Sequence, residues 1–125
     1  MKLHPSPRIT WLSDALPGLP RTLARGERFD LVTLIAVWQH LDADSQREAI
    51  PNLAALAAPG CQIILSVRHG PGAPTRPCFP SHPEDVIALA AASGLHLAFH
   101  RETESIQATN RANGITWTWL AFTPA

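Results

Sequence analysis

Cysteine is scarce, net charge is zero, lysine is almost missing, and no apolar run is long. Cys61 and Cys78 stand apart, with no CxxC and no second pair. That argues against a metal centre or a disulfide framework and for ordinary thiols in a cytoplasmic protein. Ten basic side chains balance ten acidic ones. Nothing electrostatic therefore points to nucleic acid or to an anionic membrane surface. The longest apolar stretches, such as LVTLIAVW, fall far short of the roughly 18–20 residues of a membrane helix. The opening MKLHPSPRITWL has no continuous apolar segment of the kind a secretory signal needs. Lys2 is the one lysine beside nine arginines. These are scattered in an alanine-rich chain, which fits coding bias better than a binding surface.

What is present suits one domain over residues 1–125. The chain is 46% apolar, too much for a disordered segment and enough for a core. Nine of its twelve prolines gather at 5–20 and 71–83, which marks those stretches as loops.

ITWL, residues 9–12, reads as a strand running into a loop at Ser13-Asp14. Arg21 to Glu27 has room for a turn or two of helix. FDLVTLIAVW, residues 29–38, is apolar without alternation, the pattern of a central parallel strand buried on both faces. Ser45 and Glu48 fit a capping box opening a helix with Ile50, Leu53, Leu56 and Ala57 on one side, closed by Pro59-Gly60. Pro51 inside it predicts a kink or a restart. CQIILSV, residues 61–67, is a second buried strand, and the proline-rich stretch 68–80 is a stiff loop. Ser81 and Glu84 suggest another capping box, opening a helix that Gly94 closes. Leu95–Arg101 and residues 115–122 alternate in polarity and read as an antiparallel pair. Strands alternating with helices predict an α/β fold, a sheet covered on both faces with an antiparallel finish.

In such sheets ligands sit outside the carboxyl ends of the strands. Here those ends are Ser13-Asp14-Ala15, Ala36 to Leu41, and Val67 to Gly70. The residues between and around them carry a resemblance. Phe29-Asp30-Leu31-Val32, then Val37-Trp38-Gln39-His40-Leu41, then Leu56-Ala57-Ala58-Pro59-Gly60, then Ile63-Ile64-Leu65-Ser66 follow in order the FDLV, VLHHL, LxPGG and strand motifs of class I S-adenosylmethionine-dependent methyltransferases. ITWTWLAF resembles that family's last, antiparallel strand. The resemblance covers most of residues 9–123.

It implies a Rossmann-like, mostly parallel sheet with an antiparallel terminal strand, N-terminally truncated: the family's glycine-rich GxGxG turn and ribose-binding carboxylate have no counterpart here. It implies S-adenosylmethionine as cofactor and a small-molecule methyl acceptor as partner. Asp14 and Ala15 would meet the adenine, and Ala36, Val37 and Trp38 the methionine end. Family strand order would place the missing strands between ITWL and FDLV, a gap of roughly 10 Å. The FDLV strand is then left with a bare edge, open to closure by ITWL or to a homo-oligomer.

His40 and His69 each follow a strand end and are the candidate catalytic bases, since imidazole as a side-chain type titrates near neutrality. Arg68 is the candidate for holding a substrate carboxylate. Each has a plainer alternative: Asp14 as a loop or capping carboxylate, Val37 as core, the histidines as polar surface, Arg68 as a solvated or ion-paired side chain. Trp117 and Trp119 read as edge-strand packing. His96 and His100, four apart on one face of a strand, lack the further ligands a metal site needs. A non-catalytic reading stays open beside the enzyme: a degenerate fragment or oligomeric module that does not bind the methyl donor.

Overall fold

Apolar runs become strands where they find a ladder partner. In the computed structural model, which describes residues 7–72 and 78–125, FDLVTL forms β1 (Phe29–Leu34) and the second run forms a longer β2 (Ala57–His69). The two pair in parallel, Val32 opposite Ile63 and Leu34 opposite Leu65. β3 (Leu95–Glu104) and β4 (Thr116–Pro124) form the expected antiparallel pair, and β4 inserts between β2 and β3, giving the order β1-β2-β4-β3. The sheet is thus Rossmann-like and mixed, with one parallel pairing. The middle of the proline-rich loop, 73–77, lies outside the described residues, as does 1–6.

ITWL does not enter this sheet. Residues 9–12 are irregular, and Trp11 is 52% exposed. A strand's N–H and C=O groups need partners, and no element of the described residues offers this segment a ladder. β1 is consequently an edge strand. A short helix α1 (Pro20–Ala24) does follow, and Leu16 and Leu19 before it pack against the core.

Helix α2 (Ala43–Ala55) crosses from β1 to β2 and runs through Pro51 as a single element. Ala49, Ile50 and Leu53 are buried on both sides of the proline, so packing offsets the lost hydrogen bond. Its cap is Asp42 rather than Ser45: the Asp42 carboxylate accepts from Ser45 N at 2.8 Å, which also holds its pKa below the usual carboxylate value. Starting earlier leaves Asp44 in the first turn, where the helix dipole favours a negative charge. Pro59-Gly60 does not stop this helix, which ends before it. The pair sits in a bulge of β2 between the Phe29–Ala57 and Leu31–Gln62 pairings, with Gly60 at φ 80°. Helix α3 (Pro83–Ala92) starts on Pro83 with His82 as its cap residue. Ser81 does not cap it. Its hydroxyl instead donates to Gln46 Oε1 on α2 at 3.4 Å.

Both long helices pack on one face of the sheet. Leu34, Leu65, Val67, Leu120 and Phe122 meet Ile50, Leu53, Val86 and Ala90 there. The expectation of cover on both faces fails among the described residues: on the other face Leu31 is 58% and Phe99 51% exposed. No described helix is long and apolar enough to cross a membrane.

Candidate functional site

The chain turns sharply where β1 ends. Ala36 adopts φ 59°, a left-handed conformation that costs a residue with a Cβ about 1–2 kcal/mol. A hydrogen bond holds it there: Ala36 N donates to Ser66 Oγ on β2 at 2.9 Å. The one-turn 3-10 helix Trp38–His40 follows. Gln39 Nε2 donates back to Ala36 O at 3.0 Å, and Phe79 N, beyond the proline-rich loop, donates to Gln39 O at 2.8 Å. Gln39 is only 6% exposed, and its Oε1 has no donor among the described residues. Such a buried acceptor costs about 1–3 kcal/mol.

These residues form one wall of a cavity of about 660 Å³. Ile35, Ala36, Gln39 and His40 come from the end of β1, Ser66 and Arg68 from β2, Trp117 and Trp119 from β4, and Cys78 from the loop. Sheet register explains the grouping. Ser66 pairs with Trp119, Arg68 with Trp117, and Trp117 in turn with Thr103, so these side chains share the uncovered face. Trp119 Nε1 donates to Thr103 Oγ1 at 3.0 Å. Arg68 Nη1 donates to Pro71 O at 2.7 Å, and no carboxylate pairs with Arg68 among the described residues.

The expected site residues do not all meet here. His40, Arg68 and Ala36 do. His69, one residue beyond Arg68, is turned to the other face, where its Nε2 lies 2.7 Å from the hydroxyl of the fully buried Thr118. Trp38 is completely buried and does not line this cavity, and its Nε1 has no partner among the described residues. Val37 lines a second, apolar cavity of about 370 Å³ along the free edge of β1, with Leu16, Thr22 and Leu31.

Asp14 is committed elsewhere. Its carboxylate accepts from Thr22 N (2.7 Å), Thr22 Oγ1 (2.6 Å) and Ala15 N (3.0 Å), closing the turn into α1. The Thr22 hydroxyl holds its pKa below the usual carboxylate value. Asp14 and Ala15 line neither cavity. The residues expected to hold the methyl donor are thus dispersed, and by themselves they do not fit it.

One further expectation changes. A bulge between Leu97 and Phe99 shifts the β3 register, so His96 opposite Thr123 and His100 opposite Leu120 fall on opposite faces. Cys61 is fully buried, and burial together with the Asp30 carboxylate pushes its thiol up. Sequence reasoning missed Gln39, Ser66 and Thr103 and took the two tryptophans as packing. Alternation in TWTW does put both indoles on one face, but only register shows that Ser66 and Arg68 share it.

No protein-family model and no curated protein sequence matches the chain. Solved structures do. Magnesium protoporphyrin IX methyltransferase from Synechocystis, with S-adenosylmethionine bound, is 19% identical with a TM-score of 0.59, over 80% of this chain and 41% of that one. The 1,6-didemethyltoxoflavin-N1-methyltransferase of Burkholderia thailandensis, with its substrate and S-adenosylhomocysteine bound, is 13% identical with a TM-score of 0.62, over 78% of this chain and 44% of that one. A methyltransferase from Methanosarcina mazei is 12% identical with a TM-score of 0.62, over 78% of this chain and 60% of that one. The chain has the Rossmann-like fold of class I S-adenosylmethionine-dependent methyltransferases and spans about half the length of these structures.

Proposed function

We propose that this chain carries the acceptor side of an S-adenosylmethionine-dependent methyltransferase acting on a small molecule. The observation that supports this is the large cavity at the carboxyl ends of β1 and β2, in a fold whose solved counterparts hold that donor or its product. In this reading Arg68 holds an anionic part of the acceptor, and His40 takes the proton from its nucleophilic atom. The rest of the wall contributes alignment. Donor binding needs further polypeptide, because Asp14 has its oxygens engaged and Trp38 is closed in the core. A cytoplasmic setting belongs to the same reading, supported by two free thiols.

Calorimetry with S-adenosylhomocysteine tests the division. The chain alone is expected to bind weakly or not at all, and the chain translated with the codons upstream of Met1 in the low-micromolar range with methyl transfer. Tight binding by the chain alone would overturn the need for further polypeptide. Absence of binding in both forms would overturn the enzyme.

The free edge of β1 and the uncovered face favour a second reading, a non-catalytic module that pairs with a copy of itself. Light scattering then reports a dimer. A clean monomer at high concentration removes this alternative.

A further inference from the structure

Resting on the acceptor cavity just proposed, we infer its ligand class: a flat aromatic carboxylate. Trp117 and Trp119 stand two residues apart on one face of β4, about 7 Å along the strand, and both are only half-buried. Contrast Trp38, which the core encloses completely. Two indoles so spaced present a wall about as long as one substituted ring, and aromatic rings pack on indoles in offset or edge-to-face geometry.

Arg68 supplies the charge selection. It lies directly across the ladder from Trp117, on the cavity side. Its guanidinium donates to the carbonyl of Pro71, and it has no ion-pair partner among the described residues. A guanidinium has five N–H donors in a planar fork that matches a carboxylate, so most of its capacity remains for a ligand. Glu104 also borders the cavity, at the end of β3 where it pairs with Thr116, one residue beyond the Thr103–Trp117 pair. Arg68 is the cation set directly across from an indole on the cavity wall.

Gln39 adds no contact of this kind: its amide nitrogen donates to Ala36 O, and its Oε1, without a donor among the described residues, is closed off from the cavity. An apolar ring lacks the charge that Arg68 selects, and an aliphatic acid lacks the flat face that the indoles select.

The test is tryptophan fluorescence of the full chain, which needs no methyl donor. The probes are 4-hydroxybenzoate, benzoate, 4-hydroxybenzyl alcohol and cyclohexanecarboxylate. Benzoate and 4-hydroxybenzoate are expected to bind saturably and more tightly than the other two probes, with the quench lost in the Trp117→Phe/Trp119→Phe double variant. Losing the ionic bond, in 4-hydroxybenzyl alcohol or in Arg68→Gln, should weaken binding about 10- to 100-fold. The probe series on the unaltered chain decides the matter even where a variant does not fold. No saturable binding, or equal binding of the alcohol or of cyclohexanecarboxylate, overturns the inference. Saturable, charge-selective binding without methyl transfer in the upstream-extended chain would keep this site and remove the enzyme reading. Methyl transfer without binding of any probe would do the reverse.

Discussion

The two faces of this sheet obey different rules. On one, Leu65, Val67, Leu120 and Phe122 are closed under α2 and α3. On the other, Leu31, Ile35 and Phe99 remain exposed around a wall of Ser66, Arg68, Trp117 and Trp119. The covered face holds the fold together, since apolar burial at about 25 cal/mol per Å² is its main favourable term. The uncovered face carries Arg68, whose guanidinium has no ion-pair partner among the described residues. A parallel β1–β2 pair is ordinarily buried on both sides, whereas here one side is open among the described residues.

The sharpest way to break the comparison uses the two candidate histidines, His40 on the cavity wall and His69 on the covered face. In the upstream-extended chain, His40→Ala is expected to lower turnover by about 10²–10⁴-fold, the usual contribution of a positioned base. His69→Ala should leave turnover unchanged in the same steady-state assay. The reverse result would put the chemistry on the wrong side of the sheet.

Stability should divide the same way. Leu65→Ala, at a fully buried position, is expected to cost about 2–5 kcal/mol in urea denaturation. Phe99→Ala, half-exposed on the other face, should stay within about 0.5 kcal/mol. An equal cost would mean that something covers the second face in solution.

Ser66→Ala sharpens the boundary between the faces. Removing Oγ strands the Ala36 N–H and leaves a left-handed turn without its restraint, at an expected cost of about 1–3 kcal/mol by the same denaturation. Restoring a hydroxyl with Ser66→Thr should recover part of it. No change with Ser66→Ala would assign the turn to the loop alone.

The smallest effect concerns acid. Asp14 and Asp42 both have folded pKa values lowered by hydrogen bonds, chiefly from Thr22 and from Ser45. Their contribution is therefore complete above the unfolded value, about 3.9, and is lost as pH falls through the lower folded values. Melting temperature should decline more steeply below about pH 4 in the unaltered chain than in the Asp14→Asn/Asp42→Asn double variant. Parallel profiles would show that these bonds contribute nothing measurable.

Much of the architecture is legible in the chain. Unbroken apolar runs mark β1 and β2, alternation marks the β3–β4 pair, and the segment from Phe29 to Ser66 carries the family resemblance. ITWL shows the limit: local pattern names a strand, but a strand exists only where a neighbour completes its ladder. Helix caps show another. SQRE offers a valid box, yet Asp42 lies three residues earlier and starts the helix first. Both choices are locally sound, and packing selects between them.

The site divides along the same line. That ligand chemistry gathers at strand ends, and that Ala36, His40 and Arg68 lie there, follows from sequence order, because strand direction places those ends together. Which way each side chain turns does not. Alternation sends Arg68 to the cavity and His69 away from it, the bulge at Leu97–Phe99 separates His96 from His100, and burial removes Trp38 from reach. Such outcomes depend on register, where a shift of one residue reverses every face, and register is set by the neighbouring strand. The residue types and their order were the sequence's own contribution; their meeting at one wall was decided by the sheet.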